Sequence, residues 1–495
     1  MKSFSPLILI FVIIFISGNL LLAQRQTISF NDNWFFAKGN PANASSVQLN
    51  EGDWEKIKLP HDWAISGPFD PLGEGNTGKL PWKGEGWYRK HFTPDIADQN
   101  KRFYLLFDGV MASPKIYVNG QPVGSWDYGY NSFYIDITSS LRFGKDNVIA
   151  VYANTLKHGS RWYPGAGIYR KVQLIRTDQV HVDIWGTQVT TPIVENTSAD
   201  VRITNTVLNS ATAPQEIMIE NIILSPAGNE LKRVLSKATI KPGEKRDIEQ
   251  TITLYRPERW DIENPVLHTV KTRVYKNNIL CDDTQVNFGV RTFKFTGDDG
   301  FHLNGRRVQI KGVCLHHDQG PLGAAFYPAA MERQLKIMKE MGCNAIRTSH
   351  NVPAPELLDL CDRMGFIVID EIFDKYDNKA DLPEGADFFA FAEPNVRNFV
   401  IRDRNHPSIV LWSVGNEITD VETNNNGGFK KLQAMVVYFK KYDTTRPITL
   451  VCHVADAAKN RHFDYYDVTA YNYGRKFKIA HDIDPSKPSL IGESA

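Results

Sequence analysis

A surplus of charge of either sign is missing from this 495-residue sequence: 57 Lys and Arg stand against 56 Asp and Glu, a formal net charge of +1. So balanced a chain has no global attraction to nucleic acid or to an acidic membrane surface. Cysteine is scarce, five residues in all, which excludes a disulfide scaffold. Cys281, Cys314, Cys343, Cys361 and Cys452 read as small buried apolar residues, and no positioned base marks any of them as a nucleophile. There is no phosphate loop, no GxGxxG after a strand, no CxxC pair, no long low-complexity tract and no internal repeat. Beyond the first 23 residues no apolar run approaches the ~20 residues of a membrane span.

The start of the chain has its own texture. Lys2 is followed by an apolar run from Leu7 to Ile16, a polar break at Ser17-Gly18-Asn19, and Leu21-Leu22-Ala23. This reads as a secretory signal cleaved after Ala23, and it predicts a secreted or periplasmic protein. Hydrophobic residues at 42% and charged residues at 23% fit a folded chain of about three domains. Aromatics are plentiful at 11%.

Residues 24–192 read as short strands and turns, with Lys115-Ile116-Tyr117-Val118 ahead of Asn119-Gly120 as the clearest hairpin signal. Such a pattern predicts a jelly roll. Residues 193–295 form a second all-β stretch, sized for an immunoglobulin-like sandwich. After Gly297-Asp298-Asp299-Gly300 short apolar strands alternate with helices. Strands are expected at Val308–Leu315, Ala345–Ser349, Phe366–Asp370, Ile409–Val414, Ile448–Cys452, Val468–Tyr471 and Ser489–Ile491. Helices are expected at Pro328–Met341, Pro355–Met364, Pro394–Asp403 and Phe429–Tyr442. The alternation predicts a parallel (β/α)8 TIM barrel over residues 296–495. Seven strands are countable, and 200 residues are fewer than the ~250 a barrel typically uses, so the barrel is expected to lack its last strand.

A parallel barrel keeps its chemistry at the C-terminal ends of its strands. Those ends carry His316-His317-Asp318, His350-Asn351, Asp370-Glu371, Asn416-Glu417, His453, Tyr471-Asn472-Tyr473 and Glu493. Glu417 ends the fourth strand and Glu493 the seventh, so the two carboxylates can face each other across the cavity. Two facing carboxylates suit glycoside hydrolysis: one protonates the departing oxygen, the other attacks the anomeric carbon or activates water.

At these residues a family resemblance emerges. Asp403-Arg404-Asn405-His406-Pro407-Ser408-Ile409-Val410-Leu411-Trp412-Ser413-Val414-Gly415-Asn416-Glu417 closely resembles the acid/base signature of glycoside hydrolase family 2. Asn344-Ala345-Ile346-Arg347-Thr348-Ser349-His350-Asn351-Val352-Pro353 resembles the family's other signature, with Val352 a mild departure. Arg161-Trp162-Tyr163 with Gly167-Ile168-Tyr169-Arg170 resembles its first domain. The resemblance implies a jelly-roll sugar-binding domain, an immunoglobulin-like domain and a catalytic barrel. It implies a retaining exo-β-glycosidase, foremost a β-galactosidase acting on terminal β-D-galactosides. β-Glucuronidase, β-mannosidase and a carbohydrate-binding fragment without turnover stay open.

By the same resemblance Glu417 would be the general acid/base and Glu493 the nucleophile. Asn416 would hydrogen-bond the sugar 2-hydroxyl, and His350 would bind hydroxyls at the sugar's far side. Tyr471 would orient the nucleophile or serve in packing. His317 and Asp318, with His316, would bind substrate or shape the first loop. The expected partner is a neutral carbohydrate, with no nucleic acid and no membrane after signal cleavage. A homo-oligomer is compatible with the sequence.

Some members of the family bind magnesium through a Glu and a His after the third strand, together with the acid/base Glu. Here that stretch is Asp370-Glu371-Ile372-Phe373-Asp374-Lys375-Tyr376. The His is absent and Lys375 opposes a cation, so no cofactor and no catalytic metal are expected. Activity should survive exhaustive chelation. Loss on chelation with recovery on adding magnesium would refute that expectation.

Overall fold

The computed structural model describes residues 25–377, 379–474 and 476–494. The leader expected at 1–23 lies outside them. Residues 26–177 form two antiparallel sheets of four and six strands. Their facing sides bury Trp34, Tyr88, Phe107 and Phe133 completely or nearly so. Phe133 is stacked between Phe107 and Trp126, with centroids 5.0 and 5.7 Å away. This is the expected jelly roll, built on alternating inward aromatics.

The sandwich that follows begins earlier than expected. The strand Val180–Val194 pairs with Ser198–Asn209 from Val180 onward, so it belongs to the second domain, and the boundary lies near 179 rather than 192. The strand runs through Thr190, Thr191 and Pro192 with a register shift between Thr190 and Ile193. Three-stranded and four-stranded antiparallel sheets complete this domain.

Residues 312–493 carry the parallel sheet. Its strands are β1 (Gly312–Leu315), β2 (Ala345–Thr348), β3 (Ile367–Glu371), β4 (Ile409–Asn416), β5 (Ile448–Cys452), β6 (Val468–Asn472) and β7 (Ser489–Glu493). They pair in simple chain order, β1 to β7. The intervening helices are α1 (Pro328–Glu340), α2 (Pro355–Met364), α3 (Phe388–Asp403), α4 (Thr419–Glu422), α5 (Gly428–Tyr442) and α6 (Phe477–Ile483). Strands β2 to β6 are buried throughout, as parallel strands covered on both faces must be.

Two element boundaries differ from expectation by more than two residues. The first barrel strand starts at Gly312, not Val308, because the Val308 amide bonds back to Phe301 in a small hairpin sheet. That hairpin places Phe301, Leu303 and Val308 against Ala345, Ile367 and Val468, at the N-terminal ends of the strands, and plugs that end of the barrel. The third helix starts at Phe388, six residues before Pro394. The Asp387 side chain caps it by accepting from the Ala390 amide at 2.9 Å, and the helix absorbs Pro394 in its interior.

The domains are joined by buried polar contacts. Arg170 of the jelly roll, fully buried, donates to Val352 O (2.9 Å), Pro353 O (3.2 Å) and Tyr130 O (2.8 Å). Asp62 accepts from the amides of Ala64, Ala166 and Ala324, each at 3.0 Å, and from the Tyr163 hydroxyl at 2.7 Å. Asn405, from the first half of the long signature, exchanges bonds with Val189 N and Thr187 O of the sandwich, both at 2.8 Å.

His406 follows Asn405 and lies 2.6 Å from Asp362. Burial alone would lower the imidazole pKa, but Asp362 overrides it and the value rises to about 9. A raised folded value contributes stability below the unfolded pKa of ~6.5, lost as pH climbs through about 9. Thermal denaturation across pH 6 to 10, as the axis of the scan, should therefore show a decline that His406→Gln flattens. An equal decline in both proteins would refute the linkage.

Candidate active site

The open C-terminal end of the barrel is organised around one guanidinium. Arg347, in β2, is 3% exposed. Its Nη2 donates to both Glu371 oxygens, at 2.9 and 2.8 Å, and to Asn416 Oδ1 at 2.9 Å. Its Nη1 donates to Glu493 Oε1 at 2.9 Å. Glu371 is wholly buried at the end of β3. Burial pushes its carboxyl pKa up, but Arg347, His350 and Ser413 bring it below the usual range, so it is a fixed anion. Ser413 donates to it at 2.5 Å.

His350 stands between two carboxylates. Its Nδ1 is 2.8 Å from Glu371 Oε1 and its Nε2 is 3.7 Å from Glu493 Oε1. Glu371 therefore fixes the ring, and the other nitrogen is presented at Glu493. Glu493 itself retains 17% side-chain exposure at the mouth of the cleft. The preceding residue has to be glycine. A β-carbon on Gly492 would come within 2.6 Å of Val451 Cγ1 and 2.7 Å of Asn472 Oδ1.

Glu417 directly follows β4. Its φ of 50° lies in the left-handed region, at a cost of about 1–2 kcal/mol for a residue with a β-carbon. The strain is held by a 2.7 Å bond from the Glu417 amide to Val451 O. Asn472 at the end of β6 donates to Glu417 Oε1 at 2.9 Å and to Asn416 Oδ1 at 3.2 Å. Asn416 in turn donates to Asp374 Oδ1 at 3.1 Å.

Tyr471 does not orient Glu493. Its side chain is 1% exposed and turns away from the cleft, with its hydroxyl 3.3 Å from His462 Nε2. Tyr473, two residues on, takes the place expected for it. Its φ of 63° swings the ring back over the site. Burial and the neighbouring Glu493 and Glu417 carboxylates push its phenol up to about 12, so it stays protonated beside both.

His317 and Asp318 likewise do not reach the carboxylates. His317 Nε2 is 3.2 Å from Pro164 O, and its ring meets Tyr130 and Tyr169 edge-on, at 4.9 and 5.9 Å. Asp318 accepts from Gly320 N at 3.0 Å and shapes its own loop. His316 is the member of that trio which lines the cleft, tilted 44° against Trp162 of the jelly roll with ring centroids 4.2 Å apart. Burial lowers the pKa of His316 to about 4, so it is neutral at physiological pH.

The cleft measures about 580 Å³ and is lined by Trp162, His316, Arg347, His350, Tyr473 and Glu493 among others. Among the described residues no three His, Cys, Asp or Glu side chains converge as metal ligands. After β3 the residues do not fit a divalent cation. The Lys375 ammonium holds that ground, 2.9 Å from Asp374 Oδ1, 2.8 Å from Asn416 O and 3.8 Å from Glu417 Oε2.

Arg347, Glu371, Asp374, Lys375, Arg161, Trp162, Asn472 and Tyr473 were assigned no role from sequence. Six of them, all but Arg161 and Trp162, lie at or just beyond the ends of strands β2, β3 and β6, which is the signal that could have found them.

Family models match the chain end to end. They are the glycosyl hydrolases family 2 sugar binding domain over residues 29–178, the glycosyl hydrolases family 2 model over 180–291, and the family 2 TIM barrel domain over 295–493. The chain belongs to glycoside hydrolase family 2. A Bacteroides ovatus protein named beta-galactosidase BoGH2A is 39% identical over 97% of this chain and 60% of its own length. A Formosa agariphila protein named putative beta-glucuronidase is 34% identical over 86% of this chain and 40% of its own. A solved family 2 structure from Bacteroides cellulosilyticus superposes with a TM-score of 0.89 at 33% identity, covering 95% of this chain and 61% of that one. The chain thus spans about 60% or less of the length of these relatives.

The two tyrosines can be separated by experiment. On an aryl glycoside substrate, Tyr473→Phe should lower kcat about 10²-fold. Tyr471→Phe should leave kcat within about twofold and cost about 1 kcal/mol in denaturant unfolding. The reverse pattern would restore Tyr471 to the site.

Proposed function

We propose that this protein is a retaining exo-β-glycosidase that hydrolyses terminal β-D-galactosides by double displacement. The observation that carries the reading is the convergence of Glu493 and Glu417 at one end of the barrel, each with a different donor set and with Tyr473 as their shared neighbour.

In the first step a Glu493 oxygen attacks the anomeric carbon while the bond to the leaving oxygen breaks. Glu417 gives that oxygen its proton. Arg347 and His350 hold Glu493 in line for attack. In the second step Glu417 removes a proton from water, the water oxygen displaces Glu493 from the sugar, and both carboxylates return to their starting states. Trp162 lines the cleft where the sugar ring would sit, and the buried Asn416 is tied to the site through Arg347.

The galactoside preference rests on the relative named β-galactosidase, which shares 39% identity along nearly the whole chain. The relatives and structures named β-glucuronidase share less, such as 34% and 27%. The apolar leader Met1–Ala23 supports action outside the cytoplasm. Nitrophenyl β-galactoside, β-glucuronide and β-mannoside assayed side by side should show preference for the galactoside, with the β-anomer of the sugar released first. Glu493→Gln should lower kcat by at least about 10³-fold. A preference for another sugar would defeat the galactoside assignment, and a near-normal rate for the variant would defeat the nucleophile.

A further inference from the structure

Two cations approach the acid/base carboxylate without bonding to it. Glu417 Oε2 is 3.8 Å from Arg161 Nη1 and 3.8 Å from Lys375 Nζ. Both cations are anchored on the same partner. Arg161 Nε donates to Asp374 Oδ2 at 2.8 Å, and Lys375 Nζ donates to Asp374 Oδ1 at 2.9 Å. Asp374 is 2% exposed; burial pushes its pKa up, but Lys375, His350 and Arg161 together bring it below the usual carboxylate range. Its loop is pinned by Asp381, which accepts the amides of Asp374 and Lys375 at 2.6 and 2.9 Å. Two positive charges and one negative charge leave one net positive charge facing Glu417.

The remaining ionisable neighbours come from three other strand ends. His453 follows β5 and is paired with Glu422 at 2.9 Å. Cys452, the last residue of β5, is a buried thiol. Tyr473 follows β6, and Glu493 lies beyond it on β7. None of these places a second fixed cation as near to Glu417 as Arg161 and Lys375.

We propose that the Arg161–Asp374–Lys375 cluster is a positioning device for Glu417, presenting one net positive charge to its proton-carrying carboxyl, with one of the two cations supplied by the jelly-roll domain. The inference rests on Glu417 being the acid/base. When Glu417 gives its proton to the leaving oxygen it becomes an anion in a largely water-excluded site, where a charge at 3.8 Å is weakly screened. The cluster stabilises that anion and so favours departure of a poor leaving group. Because the cations stop short of hydrogen-bond distance, neither occupies the oxygen that must reach the substrate. The sandwich of charges also explains why a sugar-binding domain sends an arginine into the barrel.

The test is the pH dependence of kcat/KM, whose basic limb reports the acid form of Glu417. Lys375→Gln and Arg161→Gln each cancel the net charge and should move the basic limb to higher pH by about 1 unit. Asp374→Asn adds to the net charge and should move it to lower pH. Lys375→Arg should keep the wild-type position. A merely structural cluster would lower rates in all three without opposite displacements. Basic limbs that stay fixed in both Gln variants, or that move downward, overturn the proposal even if Asp374→Asn fails to fold. A limb moved by Lys375→Gln but not by Arg161→Gln overturns the role of the jelly roll. In parallel, Glu417→Ala should lose turnover and regain it with azide, which attacks the glycosyl–Glu493 ester without needing a base. A Glu417→Ala enzyme with the wild-type profile would overturn the acid/base reading itself, and the cluster proposal with it.

Discussion

A guanidinium inside a barrel cannot stand alone. Removed from water, Arg347 needs every donor matched, and the price of leaving it unmatched would be several kcal/mol. The structure meets that demand with Glu371, Glu493 and Asn416, drawn from strands β3, β7 and β4. One buried charge thereby ties four strand ends together. Glu371 is the counter-ion that makes the arrangement stable, since it takes three contacts from Arg347 and is fully enclosed. Glu493 is the partner that stays accessible. The nucleophile proposed for this site requires this division: one carboxylate neutralises the cation structurally, so that a second can share the cation and stay accessible.

The barrel does not build the site unaided. The jelly-roll core and the barrel's helical layer form one continuous apolar cluster, and Arg170, Asp62 and Tyr128 cross the boundary with buried polar bonds. Buried polar contacts are directional, so they fix the angle between domains as well as their contact. That rigidity lets Arg161 and Trp162 reach the carboxylates from a separate domain with ångström precision. The hairpin plug at the opposite end has a matching role: it fills the N-terminal mouth with Phe301, Leu303 and Val308 and leaves the C-terminal mouth as the open one.

Much of this was legible in the residues. The parallel order, all seven strands, and the placement of Glu417, Glu493, Asn416 and His350 at one end followed from hydrophobic runs ending in polar groups. Tyr471 was misread for a definite reason. Strand residues alternate faces, and Asn472 points inward to Asn416 and Glu417, so Tyr471 must point outward to His462. By the same rule Tyr473 should point outward too. It does not, because a left-handed φ breaks the alternation just past the strand end. Glu417 repeats the device after inward-facing Asn416. Two of the reacting-site side chains are therefore aimed by backbone conformations that no periodicity encodes in advance. His317 escaped for another reason: the partners that fix it, Pro164, Tyr130 and Tyr169, lie about 150 residues or more away in another domain.

The near-zero net charge of the chain takes on a local meaning in the cleft. Four carboxylates, Glu371, Asp374, Glu417 and Glu493, meet three permanent cations, Arg161, Arg347 and Lys375. Glu493 and Glu417 are made different by what touches them. Glu493 receives a direct charged hydrogen bond. Glu417 receives a neutral amide on one oxygen and cations held 3.8 Å away from the other. Identical side chains thus acquire different surroundings, separated by about 1 Å in the distance to a cation. Such a difference can be maintained only if the cations themselves are immobile, which is the reason each of them is bound first to a carboxylate, Glu371 or Asp374, that takes no part in the bond-breaking step.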